Sequence, residues 1–343
     1  MKLLRNLIFF SFLLLLFSCA KNPEKMQHMT IKEIFSLNSS PTDFDIHGDL
    51  LFTTEQDMGF TILNNKTGEI IHRINSGMEY DDYGNQLPDQ LSIYQVHVIR
   101  YVSKLQTLFI ADRTVSSRVY VYRYNEENNT INQVNMYIGA TSTIRDIIFE
   151  DNHVQPNTCF YYWGFFRNSR NNIRKGLFNS NDNSYDSFVQ TKEVPNAVHS
   201  LVMTDNHIIS AMGQRGIYIT NKELENEVVY NTAGEARDLV IKGNTLFVAD
   251  RSAGVQIIDI TNITDPHHIK NIPLNGNAIS VDIFNDYLAI GTTNGNIYLF
   301  NVANRTNPVM IDCIKSLIEV FKVKFHRNEL YVASRLGIIK ITF

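Results

Sequence analysis

Cysteine and tryptophan are scarce in this chain, at three and one among 343 residues. Cys159 and Cys313 stand alone, without a C-x-x-C pair or a His/Cys cluster at zinc spacing, which removes the structural zinc folds. Both read as buried thiols. The His residues, among them His97, His199, His207, His267, His268 and His326, are scattered without ligand spacing, so no metal site is expected. Also missing are the G-x-S-x-G elbow, the H-E-x-x-H helix, the phosphate loop and the dinucleotide fingerprint, and no cofactor is expected. The segment NSNDNSYD comes near a calcium loop but lacks the turn Gly and the closing Glu. There is no basic excess: Lys and Arg number 31 against 35 Asp and Glu, which argues against a nucleic-acid partner. No convincing amphipathic helix is found. Runs rich in Ile, Val, Phe and Tyr, punctuated by Asn, Asp and Gly, point to strands throughout.

The longest apolar run, Leu7 to Phe17, is too short to span a bilayer comfortably and is preceded by Lys2 and Arg5. It reads as a secretory signal. The run ends LLFSC, and Ser18 directly before Cys19 resembles the bacterial lipobox, which implies a diacylated Cys19 at the mature N-terminus and a lipid anchor in place of a membrane span. An ordinary signal with an incidental Cys is the alternative. Loss of residues 1–18 would leave 29 basic against 35 acidic residues, a charge of about −6. The polar stretch AKNPEKMQH suits a short tether. The chain thus divides into a signal (1–18), a tether (19–28) and a single body (29–343), exported and held at the envelope. Ala20, where an acidic residue would mark inner-membrane retention in some bacteria, leans the address to the outer membrane, with the leaflet left open.

Repetition is the informative feature of the body. NTLFVADR (244–251) matches QTLFIADR (106–113) almost residue for residue, and NTCFYYWG, DLLFTTEQ, NHIISAMG, DYLAIGTT and NELYVASR fall into the same frame. The aligned third positions, Leu51, Leu108, Cys159, Ile208, Leu246, Leu288 and Leu330, are 57, 51, 49, 38, 42 and 42 residues apart. Those intervals suit one four-stranded blade each, about 40–45 residues, with insertions in the early units. Each copy is followed by a second apolar strand, headed in most units by Gly, such as GVQIIDI, and in several units by an outer strand such as HHIKNIPL. The expectation is an all-β protein, a β-propeller of seven four-stranded blades. The chain stops at Phe343 before an outer strand for the last blade, while MTIKEIFSL (29–37) has no blade of its own, so the N-terminal strand should close the ring. Because blade three is irregular, six blades plus an insert stays open. Cys159 and Cys313 fall in different units, which argues against a disulfide between them.

The stretch LFVADRSAGVQIIDITNITDPHHI resembles the repeat of the LVIVD-type bacterial propellers, carried by Ala249, Asp250, Gly254, Ile257, Ile258, Asp259, Asp265 and Pro266, and in part by Asn307 and Pro308 of blade six. The resemblance implies a propeller at or outside the envelope and no particular reaction. A single Trp disfavours the quinone-cofactor propellers, whose blades repeat a Trp motif.

Counting back six residues from the Asn244 column, with a one-residue adjustment in blade three, gives Asp43, Arg100, Asp146, Ser200, Asp238, Ser280 and Lys322 around one mouth of the ring. The preceding column adds Arg145, His199 and Arg237, and the ends of the motif strands add Glu55, Asp112, Arg113, Asp250, Arg251 and Arg335. These charges have two readings, which do not exclude each other. They can be turn caps and interblade ion pairs, or a funnel that binds something small or anionic. The insertion SGMEYDDYGNQLPDQLS, with Tyr80, Asp81, Asp82 and Tyr83, should overhang the same mouth as a lid loop. A second decorated region sets Trp163, Phe165 and Phe166 beside Arg167, Arg170, Arg174 and Lys175, as a distorted blade core or as a surface for a sugar or protein. Three functions follow. The preferred one is a non-enzymatic, lipid-anchored scaffold whose top face binds a partner protein, a glycan or another small ligand. The second is an envelope hydrolase or lyase acting on a glycan or lactone, with carboxylates and His199 as acid and base. The third is a purely structural envelope component.

Overall fold

The computed structural model describes residues 28–56, 58–74, 95–112, 118–138, 144–150, 157–167, 170–315 and 318–343. Cys19, the tether up to residue 27, the lid loop with Tyr80, Asp81, Asp82 and Tyr83, and Arg113 lie outside the described residues. Seven antiparallel four-stranded sheets make up the fold. Six are built from consecutive strands. The seventh joins the inner strand Val320–His326, Glu329–Ser334 and Gly337–Thr342 to the N-terminal strand Thr30–Phe35 as its outer strand. The ring is therefore closed by the first strand of the body. Blade three is a complete sheet of Ile147–Phe149, Thr158–Arg167, Arg170–Asn179 and Ser184–Val194, which removes the six-blade alternative.

Burial explains why the middle strands read as unbroken apolar runs. In blade five, Leu246, Phe247, Val248 and Ala249 of Thr245–Ala249, and Val255, Gln256, Ile257 and Ile258 of Val255–Asp259, are all buried, because blades press on both faces. The outer strand His267–Ile272 meets solvent on one side and carries the mixed sequence HHIKNI. Among the described residues the buried apolar side chains form seven clusters, one at each interface between neighbouring blades. The cluster of Phe35, Phe44, Leu51, Leu63, Tyr331, Ala333 and Ile338 joins the last blade to the first. Ring closure is thus a matter of apolar packing as well as of backbone hydrogen bonds.

Gly254 shows why the hairpin needs glycine. Its φ is +78°, and a Cβ there would lie 2.1 Å from the carbonyl oxygen of Ile272. Gly216 and Gly337 meet the carbonyls of Tyr230 and Phe35 in the same way. At the other end of the hairpin, Asp259 accepts from the Thr261 N–H and hydroxyl, and Pro266 precedes the outer strand.

Two blades depart from the repeat frame. In blade five Leu246 stands opposite Ile241, three residues beyond Asp238. In blade three Tyr161, not Cys159, stands opposite Phe149, so the motif strand is two residues out of frame there, and Asp146 keeps the ring position. In blade two the 3-10 turn Ser103–Leu105 lengthens the first hairpin. Val98, opposite Ala111, takes the ring position, and Arg100 sits two residues deeper.

Candidate functional site: the central funnel

The inner strands converge on the axis, and the residue at the head of each determines what lines it. Asp43, Asp146, Asp238 and Ser280 each accept a backbone N–H from the next blade, donated by the residue just after that blade's ring position. Asp43 accepts from Ile99 at 3.1 Å, Asp146 from Leu201 at 2.8 Å, Asp238 from Val281 at 3.1 Å, and the Ser280 hydroxyl from Val323 at 3.1 Å. Side chains complete the belt. Lys322 reaches Asp43 at 2.5 Å, Arg100 bridges Asp43 and Asp146, and the hydroxyls of Ser200 and Ser280 donate to Asp238 at 2.9 and 2.7 Å. Arg100 reaches this belt from its deeper position because a guanidinium can fork between two carboxylates.

Electrostatics differ around the belt. Burial alone would raise the Asp43 carboxyl, but the Arg100 and Lys322 charges hold it down at about 2. The Arg100 guanidinium, desolvated but flanked by Asp43 and Asp146, is held more firmly protonated than usual. Asp238 has hydroxyl and amide donors but, among the described residues, no salt-bridge partner, and burial raises it. One step deeper, Asp45 pairs with Lys324 at 2.5 Å and accepts from the Tyr101 N–H, while Asp282 accepts from the Phe325 N–H at 2.6 Å. Burial pushes Asp282 up to about 6. A cavity of about 570 Å³ lies at this deeper end, walled in part by Tyr101, Phe149, Met203 and Ile241.

Above the belt the axis widens into a funnel of about 760 Å³. Its walls include the residue just before each ring position: Thr42, His97, Arg145, His199, Arg237, Ile279 and Phe321. His97, Ile279 and Phe321 each occupy a β-bulge in the pairing of the first two strands. A bulge re-aims a side chain that regular pairing would turn into a blade interface. The funnel is therefore two-sided, with His97, Arg145, His199 and Arg237 from blades two to five facing Ile279, Phe321 and Thr42 from blades six, seven and one.

The cationic side is crowded. Arg145 Nη1 lies 2.6 Å from His199 Nδ1, and Arg237 Nη1 lies 3.1 Å from the same atom. Burial first, then Arg145 and Arg237, drive the imidazole down to about 3, so it is neutral at physiological pH. Glu235 accepts from Arg237 and from Arg251, both at 2.9 Å, and these contacts hold its carboxyl at about 2. The same offsets put Arg335 on Glu319 at 2.7 Å in blade seven.

The sequence-derived candidates therefore separate. Asp43, Arg100, Arg145, Asp146, His199, Arg237, Asp238, Arg251, Lys322 and Arg335 all line the funnel. Asp112 and Asp250 do not: both are buried within their blades. Asp112 accepts from the Arg118 N–H and the Tyr120 hydroxyl, and Asp250 from the Thr232 hydroxyl and the Gly234 N–H. Asp250 and the equivalent Glu55, which accepts from the Asn38 and Ser39 amides, each pin the linker entering their blade. Glu235, Glu319, Ile279 and Phe321 were not singled out from sequence, although Ile279 and Phe321 share a column with Arg145 and Arg237. In blade three Trp163 and Phe165 are buried, and Arg174 lies over Phe165 at 4.4 Å, so these aromatics belong to a blade core. The side chains of Phe166 and Arg167 lie outside the described residues. No disulfide joins Cys159 and Cys313, in blades three and six; Cys159 is buried as expected, whereas Cys313, on an outer strand, is only half-buried. Among the described residues no three His, Cys, Asp or Glu side chains are grouped to hold a metal, and no helix is long and apolar enough to cross a membrane.

Seven four-stranded blades around a central funnel define a β-propeller. Within it, residues 233–272, the linker into blade five and that entire blade, match the LVIVD repeat. No curated protein matches the chain in sequence. Similar solved structures include the RRP9 WD40 repeats at 13% identity and a TM-score of 0.70, covering 92% of this chain and 97% of that one. Sqt1 of Saccharomyces cerevisiae has 10% identity and a TM-score of 0.64, covering 92% and 98%. The computationally designed Ika8 protein has 11% identity and a TM-score of 0.59, covering 90% and 97%. Similarity at these identities is of fold alone.

Proposed function

We propose that the protein is an exported, lipid-anchored propeller that serves as a binding scaffold, taking its ligand or partner at the wide mouth of the central funnel. One observation carries the reading. The belt of Asp43, Asp146 and Asp238 is consumed by interblade hydrogen bonds, whereas the column above it turns its side chains into open space. A rigid ring with a concave, mixed-polarity mouth is a common form of binding site. Binding is favoured over turnover because Asp146 and Asp238, the carboxylates a hydrolase or lyase would recruit, each have a backbone amide to hold. A thermal-shift screen of glycans, small carboxylates and divalent ions tests the funnel, with Arg145→Gln/Arg237→Gln as control. Stabilisation that disappears in the control supports the reading; stabilisation that persists places binding elsewhere and overturns it.

The lipid anchor rests on LLFSC alone and has its own test. Cys19→Ala should move the protein from the membrane fraction to the soluble fraction. Retention of the variant in the envelope would end the lipoprotein reading.

A further inference from the structure

The two-sidedness of the funnel says more about the ligand than its polarity alone. A neutral imidazole has one lone pair to offer, yet the guanidinium groups of Arg145 and Arg237 both close on the Nδ1 of His199. That lone pair can take only one of them at a time. The Nε of Arg237 is also buried without an acceptor, and Arg237 shares Glu235 with Arg251. Like charges held this close, over a ring that cannot neutralise them, favour an added anion. A carboxylate is the planar, two-oxygen acceptor that fits a pair of guanidinium forks.

The opposite wall has different chemistry. Ile279 and Phe321 are carried into the mouth by bulges, although apolar residues at regularly paired positions would have been buried between blades. Both remain only half-buried. An apolar body placed against them removes surface that is otherwise wet. A funnel of about 760 Å³ lies within the range of roughly 300–1,000 Å³ usual for small-molecule sites.

We infer that the funnel binds an organic anion with an apolar body, its carboxylate held by Arg145 and Arg237 above His199 and its apolar part laid against Ile279 and Phe321. This inference rests on the reading of the funnel as a binding site and names the class of ligand. The probes are phenylacetate, acetate, benzyl alcohol and benzylammonium, titrated calorimetrically into the full chain and its variants in one buffer, so that partitioning into detergent cancels between proteins. Phenylacetate should bind at least tenfold more tightly than either acetate or benzyl alcohol. Arg145→Gln/Arg237→Gln should weaken phenylacetate at least tenfold. Ile279→Ser/Phe321→Ser should bring phenylacetate down to the level of acetate while leaving acetate unchanged. Melting temperatures within a few degrees of wild type would show that the variants are folded; if the double variants fail this, Arg145→Gln alone, at an exposed position, carries the head-group test. Equal affinity for phenylacetate and acetate, or phenylacetate binding indifferent to the arginine changes, overturns the inference. If benzylammonium or benzyl alcohol binds in an Arg237-dependent way and phenylacetate does not, the binding reading stands and the anion falls. If no probe binds and the broader screen also gives no funnel-dependent shift, both fall.

Discussion

Single side chains in the funnel carry opposite pH dependences. Asp43 has its carboxyl held down at about 2, below the ordinary carboxylate range of about 4, so its contribution is present above that range and is lost as pH falls toward 2. Asp282, raised to about 6, works the other way: the fold gains as this carboxyl protonates below pH 6, and the gain is complete below about 4. Replacing Asp282 with Asn keeps an acceptor for the Phe325 N–H and removes the buried charge. Asp282→Asn should be more stable than wild type at pH 7.5 by roughly 1–3 kcal/mol, and the advantage should vanish by pH 4. Urea unfolding at the two pH values measures it; an advantage that grows on acidification would reverse the assignment. Asp43→Asn strips a carboxylate from both Arg100 and Lys322 and should cost about 3–5 kcal/mol at neutral pH, read from the same unfolding curves. From sequence, the charges at the ring column were legible as a group. The fact that three of the carboxylates hold the next inner strand in place was not, because the donating amide lies 43 to 56 residues away.

At the scale of the strand, the small residue closing each motif has a packing reason. Gly164 and Gly291 lie against Val198 and Val320 of the next blade, and a Cβ on Gly164 would meet the Val198 Cβ at 2.2 Å. Where the facing residue is itself Ala, as at Ala236 and Ala278, the motif ends in Ala211 and Ala249. Gly164→Ala should therefore destabilise the protein by about 1–3 kcal/mol through overpacking, and Val198→Ala introduced beside it should recover much of the loss. Additive effects in thermal melts of the double variant would show that the two side chains do not meet. The Ala-Asp of the repeated motif was readable as a strand end. Its complementarity to a partner residue one blade on was not, since no local pattern encodes a contact across an interblade linker.

The whole molecule depends on closure. Thr30–Phe35 pairs with Gly337–Thr342 along its length, and Phe35 enters the cluster between the last and first blades. Deleting residues 29–37 would expose the edge of Gly337–Thr342 and uncover Ile338 and Tyr331, so the melting temperature should fall by 10 °C or more, since losses at this seam amount to several kcal/mol. An unchanged melting temperature would mean that the ring does not need its N-terminal strand.

The sequence by itself determined the strand content, the seven-fold count, the closing role of residues 29–37 and the column of polar residues at the axis, because each is a periodic property that survives projection onto one dimension. Only the tertiary structure decided which polar residues hold blades together and which face the funnel. Asp250 and Arg251 are neighbours in the chain, yet one is buried on the Thr232–Gly234 linker and the other lines the mouth beside Glu235. The bulges that turn Ile279 and Phe321 into the funnel are likewise a product of pairing between strands. A one-residue change of register alters the face on which a side chain lies, and register is settled by the partner strand.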